Sequence, residues 1–227
     1  MNFTEVAHGF RRKLQEPTGV EANSYRLLRK VVGVLGCALP FAVWWGAWLY
    51  CREARQPSIS AYYYTSARNI LVGTLCAIGI VLVCYRGPQV KDRLASLLAG
   101  GFGIGVALFP TTPEHPTPVQ DLVGTLHYTF AAIFFLAITG MVLLLFTING
   151  KGTWRNKLFW ACGLVMLACV VIMGTQALLS DDRKLAWKAS GWTFVLETAA
   201  IEAFGVAWLV KGGAGGGGGE GKAVTRS

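Results

Sequence analysis

Long runs of apolar residues, separated by short polar segments, fill the chain from residue 31 onward. A helix of about 20 apolar residues crosses the hydrocarbon core of a bilayer, and six runs approach or reach that length. The pattern predicts an all-α integral membrane protein with six transmembrane helices in one bundle. The predicted spans are residues 31–50, 69–85, 94–110, 127–148, 158–179 and 190–210.

The composition agrees with a membrane protein and excludes several other classes. Hydrophobic residues make up 53% of the chain and charged residues 15%, whereas an average soluble domain is about 25% charged. Disordered chains, coiled coils and small disulfide scaffolds do not have this balance. Many polar and charged residues precede the first span, which is longer than a signal-peptide core, so we expect it to remain as an anchor.

The distribution of Lys and Arg predicts the orientation of the chain in the membrane. The net charge is +9. With the N-terminus in the cytoplasm, fifteen of the 21 basic residues lie on the cytoplasmic side and six on the outer side. Cytoplasmic loops carry the excess of basic residues in membrane proteins. Both termini are therefore predicted to be cytoplasmic, in a multi-pass protein of the cell membrane (the bacterial inner membrane), and no nucleic-acid partner is expected.

Two segments flank the predicted membrane domain, which covers residues 31–210. Residues 1–30 form a cytoplasmic N-terminal segment, in which 4–16 carry apolar positions at helical spacing beside basic ones. This pattern favours an amphipathic helix on the anionic cytoplasmic leaflet, with a solvated turn as the alternative. Residues 211–227 are rich in glycine and are expected to form a flexible cytoplasmic tail.

Small residues at a spacing of four predict close contacts between helices. Gly101 and Gly105 form a GxxxG pair in the third span, and Gly73 with Ala77 is its equivalent in the second. Such pairs let two helix backbones approach each other in a membrane. We expect these faces to pack against neighbouring helices.

Polar side chains at membrane depth are the candidates for a functional site. A charged residue in mid-bilayer costs about 2.5–3.5 kcal/mol, so it usually faces a partner or a cavity. The sixth span contains Glu197 and Glu202, which lie roughly 140° apart on a helix and so cannot share one partner. The predicted topology places one set of polar residues at similar outer depth: Ser60, Tyr62, Tyr63, Arg68, Asn69, His127 and Glu197.

Several functions are compatible with this outer set. Glu197 could pair with Arg68 or His127 and hold helices together, or the set could bind a lipid head group or another amphiphile. A third hypothesis is catalysis of lipid hydrolysis or acyl transfer. In it Ser60 is the nucleophile, His127 the base, and Glu197 or Asp121 the group that orients the base.

A proton-coupled transporter of small molecules that uses Glu202 is a further alternative. The sequence has no visible internal repeat or pair of broken helices, features that many transporters share. The prediction leans away from an enzyme, with membrane lipids as partners and a homo-oligomer as one possible state.

No metal or cofactor site is predicted. None of the six cysteines forms a CxxC pair, and His8, His115 and His127 fall in separate regions, so no set of metal ligands is visible. The cysteines are Cys37, Cys51, Cys76, Cys84, Cys162 and Cys169.

The segment 109–118 contains four prolines and is expected to be extended and stiff. It is predicted to act either as a rigid connector or as a lid over the outer set.

Several short motifs resemble a known superfamily of six-span proteins. They are Pro57-Ser58-Ile59-Ser60, RNILVGTLCAIGIVLVCYRG (68–87), ALFPTTP (107–113), LHYTFAAIFF (126–135) and ETAAIEAFGVAWLVKG (197–212). With these motifs the chain resembles the superfamily of the damage-regulated autophagy modulators and the GPI-anchor-remodelling membrane proteins, and it is closer to small bacterial members than to the eukaryotic ones.

The resemblance implies six spans and a lipid-related or membrane-organising role, without an established reaction for the bacterial members. Ser60, His127 and Glu197 fall at polar positions of that superfamily. Ala61 stands where eukaryotic members tend to carry an acidic residue after the serine.

Overall fold

The computed structural model of the chain describes residues 19–85, 90–147 and 152–213, and every regular element in these ranges is a helix. The all-α prediction is confirmed there. The predicted amphipathic helix at 4–16, His8 and the chain from residue 214 onward lie outside the described residues. The α-helices are α1 (Gly19–Cys51), α2 (Arg68–Cys84), α3 (Val90–Leu108), α4 (Pro118–Gly140), α5 (Trp154–Thr175), α6 (Asp181–Ser190) and α7 (Trp192–Lys211).

The helices are those of a membrane-embedded protein in length and apolar content. Four segments are long and apolar enough to cross a membrane, and α2 is a shorter apolar helix. A π-helical turn, Met141–Leu145, extends α4. The four segments are Asn23–Cys51, Pro118–Leu145, Trp154–Thr175 and Trp192–Lys211.

Some helix boundaries differ from the predicted spans. The last span was predicted to begin at residue 190, but Ser190 ends α6, and Gly191 in the left-handed conformation (φ 70°) separates it from α7. Neither α6 nor the 3₁₀ helix Ser60–Tyr64 was predicted. Both are short and lie outside the apolar runs, so hydrophobic periodicity gives no signal for them.

Six helices form a closed ring, and each packs against two neighbours. The order around the ring is α1, α2, α3, α4, α5 and α7, with α7 returning to α1. The short helix α6 contacts α7. Large apolar side chains fill the centre, among them Leu39, Ile138, Met166, Phe204 and Trp208, each less than 2% exposed.

The predicted Gly105 packs closely against α4, where a methyl group on it would lie 2.8 Å from the Phe130 ring, but the glycines that bring α2 and α3 together are not the predicted ones. A methyl group on Gly100 would lie 2.5 Å from the carbonyl oxygen of Gly79, so α2 and α3 cross in direct backbone contact at this pair. Gly73 and Gly101 face open space. The predicted packing role of these two glycines is therefore wrong, because neighbouring residues on a helix point about 100° apart.

The two ends of the bundle differ in character. The end with Arg29, Tyr85 and Lys211 is called the terminal end, and the end with Pro57 and Gly191 is called the loop end. At the terminal end, Arg29 donates to the Tyr85 hydroxyl (2.8 Å) and to the Lys211 carbonyl oxygen (3.4 Å). The Arg155 guanidinium donates to the Val210 carbonyl oxygen. Basic side chains thus cap the last turn of α7, where carbonyl groups lack helical partners.

Candidate functional site

Glu197 binds the main chain of the segment that precedes α2. Its Oε2 accepts a hydrogen bond from the Ile59 N–H at 2.5 Å, and its Oε1 accepts one from the Ser60 hydroxyl at 3.4 Å. Ile59 is the residue before the 3₁₀ helix Ser60–Tyr64, and its own side chain makes no cap. The carboxylate of one helix therefore caps the first turn of another.

The position of Glu197 follows from the sequence of α7. Phe194, Ile201, Phe204 and Trp208 recur at helical spacing and are all buried, so they define the inward face of the helix. Glu197 follows Phe194 by three residues and lies on the same face. The helix places the carboxylate toward the interior of the bundle.

Further hydrogen bonds hold the same segment. The Phe194 N–H donates to the Pro57 carbonyl oxygen at 2.9 Å, so the first turn of α7 is fastened at a second point. The Ser58 hydroxyl accepts from the Ala61 N–H at 3.0 Å within the segment. The name Glu197 clamp is used below for Pro57, Ile59, Ser60, Phe194 and Glu197.

Tyr62 belongs to the core beneath the clamp. Its side chain is 0% exposed, and its ring centroid lies 6.2 Å from that of Phe194. Its hydroxyl accepts a hydrogen bond from the Gln56 N–H at 3.3 Å. Burial raises the pKa of the Tyr62 phenol, because it disfavours the charged form. Tyr62 therefore supports the loop end as a neutral packing residue.

His127 lies in a separate group of contacts. It is 3% exposed, and its Nδ1 is 2.7 Å from the Phe109 carbonyl oxygen just after α3. Nearby, the Tyr64 hydroxyl donates to the Thr111 carbonyl oxygen at 2.6 Å, and the Thr111 hydroxyl donates to the Tyr128 hydroxyl at 2.9 Å. These bonds fasten the proline-rich segment to α4 and to the 3₁₀ helix.

Arg68 and Asn69 form the exposed part of the predicted set, and the half-buried Tyr63 contacts Arg68. Arg68 Nη2 donates to the Tyr63 hydroxyl at 2.5 Å, and its guanidinium carbon lies 4.1 Å from the centre of that ring. Arg68 and Asn69 are both exposed at the start of α2. Stacking of a guanidinium on an aromatic ring is a favourable cation–π contact.

The predicted outer set therefore separates into three groups. The structure joins Ser60 to Glu197 and Arg68 to Tyr63, and it directs His127 to the main chain of Phe109. Among the described residues, no hydrogen bond or ion pair links Glu197 to Arg68 or to His127, and none links Ser60 to His127.

Asp121 and Glu202 lie apart from these groups. Asp121 is exposed in the first turn of α4. Glu202 is near Cys37 of α1, and its Oε1 has no hydrogen-bond partner in the described part of the chain. Within residues 19–85, 90–147 and 152–213, no group of three His, Cys, Asp or Glu side chains could hold a metal ion.

A groove on the outside of the ring is the feature that the sequence interpretation missed. It has a volume of about 440 Å³ and runs along α3 beside Phe130 of α4. Gly101 leaves open space in its floor. The residue in the sequence that could have indicated the groove is Gly101, on the outward face of the third apolar run. The sequence analysis assigned this glycine to helix packing instead. The lining residues are Leu94, Leu97, Leu98, Gly101, Phe102, Ile104, Gly105, Leu108, Phe109 and Phe130.

His127 supports one end of this groove. The Phe109 ring packs edge-on against Phe130, with 5.1 Å between the ring centroids. His127 binds the carbonyl oxygen of the same Phe109 residue. The buried histidine thereby fixes the main chain from which an end wall of the groove projects.

Comparison with protein-family models, with curated proteins and with solved structures finds no match for this chain. The clamp and the groove are the two arrangements from which a function can be argued.

Proposed function

We propose that the chain is a six-span membrane protein, with both termini in the cytoplasm of a bacterial cell, that binds a membrane lipid without transforming it. The closed ring of six helices supports the six-span arrangement. The basic residues gathered at the terminal end support the orientation, because cytoplasmic ends of membrane proteins are the more basic ones.

The groove along α3 is the observation that carries the lipid-binding proposal. All ten residues that line it are apolar or glycine, so it offers contacts to hydrocarbon. Its volume falls in the range of about 300–1,000 Å³ that is typical of small-molecule sites. A concave apolar surface on the outside of a membrane bundle meets lipid chains before any other ligand.

The loop end supports a structural role for the polar residues. Glu197 accepts from the buried Ile59 N–H, and a buried donor must be paired in an apolar environment. A nucleophile and its base must lie within hydrogen-bond reach for serine catalysis, whereas Ser60 bonds to Glu197 and His127 to Phe109. The resemblance to lipid-related six-span proteins agrees with a lipid ligand.

A matched pair of glycine substitutions tests lipid binding. Gly101 and Gly73 both face open space in a helix, but Gly101 lies in the groove and Gly73 does not. We expect G101L to fill the groove and to lower the number of lipids that stay bound to the purified protein, counted by native mass spectrometry. G73L should retain as many lipids as the wild type. Equal retention by both variants would contradict the proposal.

A further inference from the structure

We infer that the groove takes the acyl chain of an anionic phospholipid whose head group lies at the terminal end, beside Lys91 and Arg93. The inference rests on the proposed function and names the class and the orientation of its lipid. Both basic residues are exposed and stand in the first turn of α3, immediately before the first residue of the groove, Leu94.

The geometry of α3 places the two basic residues on the two sides of the groove. At 100° per residue, Lys91 lies roughly 70° from the centre of the groove face on one side, and Arg93 roughly 90° on the other. Asp92 lies roughly 170° away, on the side of α3 near Tyr85. The mouth of the groove at the terminal end is therefore flanked by positive charge, and the intervening acid faces elsewhere.

The length of the groove suits one acyl chain. Leu94 to Leu108 is fourteen residue steps, or about 21 Å along the helix. One leaflet of a bilayer contributes about half of a hydrocarbon core of ~30 Å. A chain that enters at Leu94 would lie along the groove through its whole leaflet, with its phosphate between the two cations.

Charge and shape disfavour a second copy of the protein as the occupant. A symmetric dimer places the same surface patch of both copies in contact, so two concave grooves would face each other. Lys91 and Arg93 of both copies would then gather around the axis, where like charges repel. An anionic lipid instead complements both the apolar lining and the flanking charges.

Full-length protein in nanodiscs that contain equal amounts of phosphatidylglycerol and phosphatidylcholine tests the inference. The measurement is the ratio of the two lipids that remain bound to the protein when it is released and analysed by native mass spectrometry. We expect the wild type to retain mainly phosphatidylglycerol. The double variant K91Q/R93Q should lower the ratio by roughly fivefold per basic residue removed.

Lys157 provides the matched control, because it is exposed near the start of α5, a helix that contributes no residue to the groove lining. K157Q should leave the ratio unchanged. If K91Q/R93Q keeps the wild-type ratio while G101L still loses lipid, the head-group inference is overturned and the proposed function stands. If G101L loses no lipid, both are overturned. If G101L instead converts a cross-linkable dimer into a monomer, the occupant is a second copy and the inference is again overturned.

Discussion

The Glu197 carboxylate accepts a hydrogen bond from the Ile59 main-chain N–H, whereas one hypothesis from the sequence paired it with Arg68 or His127. An acid within an apolar helix predicts a partner inside the bundle, and that general expectation agrees with the clamp. The partner could not be predicted from the sequence. Every non-proline residue has a main-chain N–H, so the residue types do not show that the N–H of Ile59 is the one that binds Glu197. Arg68 and His127 were the visible candidates, but each has other contacts.

Removing the Glu197 carboxylate should destabilise the loop end. In E197A the buried N–H of Ile59 loses its acceptor, which costs about 1–3 kcal/mol. We expect a lower midpoint of thermal unfolding in detergent, followed by tryptophan fluorescence. Glu202 on the same helix offers the control, because its neighbour is the Cys37 side chain and no main-chain N–H of the described residues donates to its carboxylate. E202A should leave the midpoint unchanged or raise it, and an equal drop in both variants would contradict the capping role.

Gly191 should be sensitive to any side chain. Its left-handed conformation costs other residues about 1–2 kcal/mol, and a methyl group there would lie 2.8 Å from the Arg55 guanidinium. G191A is therefore expected to lower the unfolding midpoint. Gly174 near the end of α5 has open space around it, so G174A should not lower the midpoint. Equal tolerance at both sites would show that the start of α7 does not depend on this turn.

Single-residue offsets decide how the helices α2 and α3 pack. The third apolar run contains several glycines close together, and the sequence shows that this helix can approach another. It does not show which glycine faces the neighbour, because a shift of one residue rotates the face by about 100°. The structure selects Gly100 with Gly79 for contact and leaves Gly101 in the groove.

Adjacent glycines in α3 should therefore respond in opposite ways to the same substitution. G100A places a methyl group against the Gly79 carbonyl oxygen and should separate α2 from α3, with a lower unfolding midpoint. G101A adds a methyl group in open space and gains helix propensity of about 1 kcal/mol. Its unfolding midpoint should therefore equal or exceed that of the wild type. The comparison uses purified protein in one detergent. A lower midpoint for G101A with none for G100A would contradict this crossing.

The described part of the chain is a ring of six helices, with the short helix α6 beside α7, a clamp at one end and basic caps at the other. The helices themselves were largely predictable, since long apolar runs have few alternative structures. The order of the helices around the ring was not predictable, because apolar helix faces of similar composition do not specify which helix packs against which. The basic residues that predicted orientation also have local roles, as Arg29 and Arg155 cap the last turn of α7.

The proposed six-span arrangement places both termini in the cytoplasm, and two native cysteines test this orientation directly. Cys51 ends α1 at the loop end, Cys84 ends α2 at the terminal end, and both are exposed. In spheroplasts, a membrane-impermeant maleimide should label Cys51 but not Cys84, and after permeabilisation it should label both. C51S and C84S identify the two labelled sites. Labelling of Cys84 in intact spheroplasts, with Cys51 protected until permeabilisation, would contradict the proposed orientation.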